Sequence, residues 1–307
     1  MIKSITVTNY LGDKLKLELT RPESSGFAVK SITGLGPGKA NINTSELSTT
    51  DGGLYNSSRL PVRNIVLSLE FLWGRSIEDT RQKSYRYFPI KRQVTLLFET
   101  DNRMVEISGY VESNEPTIFS KNEGSEISII CPDPYFYSVG KNGIISTEFY
   151  GAEPLFEFPF SNESLTDSLI EMSAISQITE RTIVYDGDTD IGIVITIHAT
   201  GEADNVSIIH RAGESMGVMS INTEKLRIST GSSIKAGDQI IISTLKGNKY
   251  IKLIRDGETR SILNCLDRNV EWLQLVRGEN TFAYTADGAG VHNLNVVIKS
   301  QVRYEGV

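Results

Sequence analysis

Apolar and polar residues alternate with a period of two through most of this chain, the pattern of strands that bury one face. Ser4 to Asn9 alternates, turns at Leu11-Gly12-Asp13, and is answered by Leu15, Leu17 and Leu19 set around Lys16 and Glu18, which predicts a hairpin. Further strands are expected at Ile65 to Phe71, Val94 to Glu99, Met104 to Glu112 and Glu126 to Cys131, with a tight turn at Asp101-Asn102. One helix interrupts them. Ser76 is placed to cap it, Asp79 lies three residues on, Arg81 to Tyr87 are good helix formers, and Pro89 stops it.

After Cys131 the run Pro132-Asp133-Pro134 holds the residue before each proline extended. A domain boundary is expected there, dividing 1–134 from 135–307. An aromatic, proline-bearing stretch from Phe149 to Phe160 follows, and then short strands recur. They are expected at Ile191 to Ala199, Val206 to His210, Lys225 to Ser229, Gln239 to Leu245, Lys249 to Arg255, Thr259 to Leu263, Trp272 to Arg277, Thr281 to Thr285 and Asn293 to Val302. Lys246-Gly247-Asn248, Asp256-Gly257 and Arg277-Gly278-Glu279-Asn280 read as the turns between them. Strands spaced by roughly 8 to 12 residues predict a β-sandwich, and the lack of strand-helix alternation argues against an α/β fold. The chain reads as mainly β.

Gly34 to Asn64 breaks the pattern, being rich in Gly, Pro, Ser, Thr and Asn and poor in large apolar residues. A stretch of that length inside a compact domain is functional or disordered as a rule. Its edges are expected to form a long hairpin that reaches beyond its own domain to a partner.

Composition narrows the class without naming a chemistry. The 307 residues suit about two domains. With 31 Lys plus Arg against 38 Asp plus Glu, a net charge of −7, no basic field draws the chain to nucleic acid or to an anionic membrane. Cys131 and Cys265 lie far apart and belong to no metal-ligand spacing, so a disulfide framework is excluded and two buried thiols are expected. The start, Met-Ile-Lys-Ser-Ile-Thr-Val, lacks the apolar core of a signal peptide, and runs such as Ile191 to Ile197 fall far short of the ~20 residues that span a bilayer. A soluble protein made in the cytoplasm is expected.

Candidate chemistry fails on context. Gly34-Leu35-Gly36-Pro37-Gly38-Lys39-Ala40 has glycines before a lysine, but Thr33 and Ala40 stand where a P-loop needs Gly and Ser/Thr. Gly213-Glu214-Ser215-Met216-Gly217 matches the nucleophile-elbow pattern, and Ser215, Asp267 and His292 follow the hydrolase chain order. An elbow needs a strand turning into a helix, whereas Val218 to Thr230 reads as strand and turn. Asp186-Gly187-Asp188-Thr189-Asp190 opens like a calcium loop, but Ile191 replaces the required Gly and Ile197 the bidentate Glu. Trp272 is a candidate for stacking on a sugar, against the commoner role of a strand Trp in a core. No catalytic, cofactor or metal residues are assigned.

The organisation itself points further. Gly34 to Ala40, Asp51-Gly52, Ser57-Ser58-Arg59 and Arg63-Asn64-Ile65-Val66-Leu67 stand in order with Arg81, Tyr87-Phe88-Pro89, Ile107 to Ser113, Glu115-Pro116, Ile118-Phe119-Ser120 and Cys131-Pro132-Asp133-Pro134-Tyr135-Phe136. This N-terminal series resembles the distal tail protein family of long-tailed bacteriophages. Leu275 to Ala286 and the closing Tyr304-Glu305-Gly306-Val307 are similar to that family's C-terminal domain.

The resemblance implies an N-terminal tail-tube-like β-sandwich (1–134) with one helix and an arm at 34–64, then a C-terminal galectin-like or carbohydrate-module-like β-sandwich (135–307). It implies a hexameric ring at the distal end of the tail, in the virion tail tip or baseplate. The partners would be the tail-tube protein, the tail-associated or tail-fibre protein and the receptor-binding proteins. Subunit-interface candidates are then Gly36, Pro37, Lys39, Leu54, Tyr55, Arg59 and Arg63, the two arginines flanking the end of the arm. The competing expectations are a carbohydrate-binding adhesion module and a hydrolase using Ser215.

Overall fold

The computed structural model describes residues 1–46, 51–72, 76–140, 143–154, 173–177, 179–268 and 270–307. Trp73 and the second half of the stretch Phe149 to Phe160 lie outside the described residues. The chain forms two units, Met1–Gly143 with Arg303–Val307, and Ile144–Val302. The division therefore falls later than the proline run at 132–134, and the last five residues return to the first unit.

Unit 1 contains β1 (Ile2–Thr8), β2 (Lys14–Glu18), β3 (Phe27–Thr33), β4 (Asn41–Glu46), β5 (Gly53–Arg59), β6 (Arg63–Phe71), α1 (Ile77–Tyr87), β7 (Gln93–Thr100), β8 (Met104–Thr117), β9 (Gly124–Cys131) and β10 (Phe136–Ser138). Its main sheet runs β2-β1-β7-β8-β9-β6-β3, with β10 beside β8 and the C-terminal strand Arg303–Tyr304 beside β10. β8 changes partners along its length, pairing with β7 up to Tyr110 and with β9 from Tyr110 onward. That change passes through Gly109, where a Cβ would stand 2.7 Å from Cys131 Sγ and from an Ile129 methyl. Only glycine fits so close a crossing.

Alternation is obeyed strand by strand. Ile5 and Val7, Leu15 and Leu17, Leu67 and Leu69, Leu96 and Phe98, and Ile127 and Ile129 all point into one core. Each contributes about 1.5–3 kcal/mol on burial. The predicted helix is present as α1, with the Ser76 hydroxyl accepting from the Glu78 amide, and Lys83 Nζ fastens it by donating to Ser25 O at 2.8 Å.

Unit 2 contains β11 (Ile144–Glu148), β12 (Tyr150–Pro154), β13 (Ser173–Gln177), β14 (Glu180–Tyr185), β15 (Ile191–Gly192), β16 (Val194–Ala199), β17 (Ser207–Ala212), β18 (Ser215–Ser220), α2 (Thr223–Thr230), β19 (Gln239–Ser243), β20 (Tyr250–Arg255), β21 (Glu258–Ser261), β22 (Gln274–Leu275), β23 (Gly278–Thr285) and β24 (Leu294–Gln301). Arg303–Tyr304 is then β25. A six-stranded sheet, β11-β24-β16-β19-β20-β21, packs against a four-stranded one, β14-β23-β17-β18. Tyr284 of β23 reaches across, its hydroxyl donating to Leu294 O at 3.3 Å and its ring meeting that of Phe149 edge-on at 5.8 Å. The architecture is mainly β in both units.

Two local expectations are corrected. Lys225 to Ser229 is helical within α2, because the Asn222 side chain caps it by accepting from the Lys225 amide and Gly231 ends it in a left-handed conformation. Leu226 is buried while Ile228 is 87% exposed, so the apparent alternation was never a buried strand face. Arg277 to Asn280 is not a free linker, since β23 begins at Gly278. Asn280 builds the preceding bend, its amide donating to Val276 O and Gly278 O and its carbonyl accepting from the Val276 N–H.

Candidate assembly interface

β4 and β5 pair with each other and with no other described strand. All six residues of β4 and all seven of β5 are exposed, including Ile42 (63%), Leu54 (56%) and Tyr55 (65%). A two-stranded ribbon of this kind is marginal in water by itself. Polar contacts brace it instead of a core: across the two strands Asn43 Nδ2 donates to Ser57 Oγ at 3.1 Å and Asn56 Nδ2 to Ser45 Oγ at 2.6 Å, and within β5 the Tyr55 and Ser58 hydroxyls meet at 2.8 Å. The ribbon holds its own shape while offering two uncovered faces.

Its root is built differently. Gly34 has φ +83, and a Cβ there would meet the Asn64 carbonyl oxygen at 2.1 Å, so the two legs of the arm converge where only glycine fits. Arg63 sits beneath this point, 6% exposed. Its Nη1 donates to Gly34 O and to Gly36 O at 2.6 Å, its Nε to Pro134 O at 2.6 Å, and its Nη2 to Glu305 O at 2.7 Å. The guanidinium also lies 4.8 Å from the centre of the Phe136 ring. Burial draws the Arg63 pKa down, opposed by the nearby Cys131 thiol and Glu305 carboxylate. Burial pushes the Cys131 thiol up to about 11.

The predicted interface residues therefore separate. Leu54, Tyr55 and Arg59 lie exposed on the arm, and Gly36, Pro37 and Lys39 lie exposed at its root. Arg63 differs from the other six: it is a buried cross-link among main-chain carbonyls. Sequence reasoning missed Ile42, whose alternation with Asn41 and Asn43 was the available signal. It also missed Phe119, which is 98% exposed with φ +70 in the hairpin between β8 and β9. The tip below Phe119 is held by Thr117 Oγ1, which accepts from the Gly124 N–H at 3.2 Å.

Among the described residues, the alternative chemistries find no supporting geometry. Ser215 opens β18 after a two-residue turn, with strand rather than helix following it. The Asp267 amide bonds to Ser220 O at the other end of that strand, ~17 Å from Ser215 at the usual strand rise. Lys249 Nζ stands 5.1 Å over the Trp272 ring and occupies a face that a sugar would use. Among the described residues, no group of three or more metal-ligating side chains converges. His210 is buried, stacked on Phe282 at 4.4 Å and bonded to Asn280, and burial holds its pKa below the ordinary value.

No protein-family model matches the sequence, and no curated protein does. Solved structures do. The Dit protein (gp 19.1) of phage SPP1, described as a paradigm of the hub adsorption apparatus in phages infecting Gram-positive hosts, superposes with a TM-score of 0.63 over 97% of this chain and 98% of its own, at 11% identity. The chain has the fold of a phage distal tail hub protein. Chains of the phage P2 baseplate in its activated conformation, with Ca or with Sr, superpose more loosely, with TM-scores of 0.45 and 0.43 at 13% and 12% identity. They too cover nearly the whole of both chains, 98% and 97% of this one.

Proposed function

We propose that this chain is the hub subunit of a phage tail tip. Unit 1 forms a hexameric ring at the distal end of the tail, and unit 2 is the appended sandwich. The ring joins the tail tube on one side to the tail-associated protein on the other, with receptor-binding or baseplate proteins around it. Its work is geometric, with no catalytic step. The observation that carries this reading is the end-to-end likeness of the fold to the Dit hub protein of SPP1.

The arm supports it independently. A closed ring of identical chains uses a heterologous contact, in which one surface of a subunit meets a different surface of the next. An isolated ribbon with Ile42, Leu54 and Tyr55 in water is suited to be one side of that contact. Gly36, Pro37, Lys39 and Arg59 belong to the same surface. Deleting Thr44 to Ser57 is expected to leave a folded chain that no longer forms hexamers in light scattering. Hexamers of unchanged mass would overturn the role of the arm.

A further inference from the structure

Unit 2 interrupts unit 1, since the chain leaves after Gly143 and returns at Arg303. The five returning residues are held in detail. β25 pairs with β10 through Phe136↔Tyr304 and Tyr137↔Arg303. The Arg303 guanidinium lies 4.2 Å from the Tyr135 ring and that of Arg103 4.4 Å from the Tyr304 ring. Two further contacts go to the root of the arm. Glu305 O accepts from Arg63, and the Val307 N–H donates to Leu35 O at 3.1 Å. Leu35, Tyr304 and Val307 all pack on the unit 1 core.

The base of the arm is thus completed by residues from the far end of the chain. β10 and β25 are three and two residues long, and pairing them across an unfolded insert carries the closure entropy of that insert. Unit 2 removes that difficulty when it folds, because its first strand pairs with its last: β11 lies on β24 from Ile144↔Gln301 to Glu148↔Val297. Folding of unit 2 brings its two ends together and delivers β25 to β10.

We infer that the C-terminal pentapeptide is a positioning element for the arm, delivered by folded unit 2 and locked by Arg63. Arg63 is a positioning residue, acting through Gly34, Gly36 and Glu305 on a ribbon that makes the intersubunit contact. The inference rests on the ring reading only for what the arm is used for. A subunit whose second unit has not folded presents an unaimed arm and is left out of assembly.

The test uses the full chain with nitroxide labels at Ser57→Cys on the arm and Ser108→Cys on β8, both exposed, while Cys131 and Cys265 are buried. Label-to-label distance distributions are measured in labelled chains diluted with unlabelled protein, and mass by light scattering on the corresponding chains that keep Ser57 and Ser108 and carry no label. Arg63→Ala, and separately a chain ending at Val302, are expected to broaden the distribution at least twofold and to reduce the mass to that of a monomer. Arg63→Lys, which keeps the charge but not the fork of donors, is expected to fall between. If Arg63→Ala fails to fold, the truncated chain and Arg63→Lys decide the matter. Unchanged widths in the truncated chain overturn the inference whatever the mass. A parent chain that never forms rings removes the ring reading and leaves the comparison of widths standing.

Discussion

Each unit contains an arginine of low exposure that ties loops together, buried in the case of Arg63 and 15% exposed at the side chain in that of Arg255, and the two do so by opposite means. In unit 2, Arg255 Nε donates to Asp238 Oδ1 at 2.8 Å and Nη2 to Asp238 Oδ2, while Nη1 donates to Ser232 Oγ and Nη2 to Ser233 O. Its partners are 17 to 23 residues away in sequence. In unit 1, all four hydrogen bonds of Arg63 go to carbonyls, at separations of 27, 29, 71 and 242 residues. The unit 2 arginine is an ion pair that pins a local loop. The unit 1 arginine is a cation in a cage of dipoles that joins distant parts of the chain, a job in which a carboxylate could satisfy only part of the fork.

The largest effect expected from this contrast is in unit 2. Arg255→Met leaves the Asp238 carboxylate buried without its partner, and unit 2 should lose about 3–5 kcal/mol in denaturant unfolding. Adding Asp238→Leu should recover most of that loss, because the orphaned charge is gone. Failure of the double substitution to recover stability would show that the pair is not what distinguishes the two sites.

A smaller difference is expected in acid. Burial alone would raise the Asp238 pKa, but the hydrogen bonds from Arg255 and the Lys235 N–H outweigh it and hold the group below its ordinary 3.8. Its folded pKa is lower than its unfolded one, so its contribution is complete above about pH 4 and is lost as pH falls through the folded value. His210, with its pKa also depressed, contributes fully above its ordinary 6.5 and loses that contribution as pH falls below it. Protection factors of the Lys235 amide and of β17 amides, referred to the intrinsic exchange rate at each pH, should therefore fall in acid before that of the Val307 amide, since all the hydrogen bonds of Arg63 go to carbonyls.

The smallest effect sits on backbone strain. Phe119 in unit 1 and Asp256 in unit 2 both have positive φ, at +70° and +50°. Aspartate tolerates that region and phenylalanine does not. Phe119→Gly should raise the unfolding free energy of unit 1 by about 0.5–1 kcal/mol in denaturant titration, and Asp256→Gly should change unit 2 by less.

Where one face of an element is buried, the sequence was readable. β1, β2, β6, β7 and β9 follow the alternation of their apolar residues, and Ser76 and Pro89 mark α1 at both ends. The arm was legible only as an interruption, since a ribbon without a buried face has no period to detect. α2 was misread because Leu226 and Ile228 mimic a strand while the cap that decides the matter is made by Asn222. The burial of Arg63 was not legible for a more general reason. Its burial depends on Glu305, and no local pattern relates two residues that are 242 positions apart.

The interruption of unit 1 by unit 2 has a mechanical side. Both covalent connections to unit 2 run through β10 and β25, which lie next to each other in one sheet. A pull exerted on unit 2 is divided between two adjacent strands whose outer ends are held together by β11 and β24. β10 in turn pairs with β8, so both connections reach the main sheet at one place. Arg63 bonds Pro134 just upstream of β10 and Glu305 just downstream of β25, so one guanidinium acts as a rivet through both lines of force.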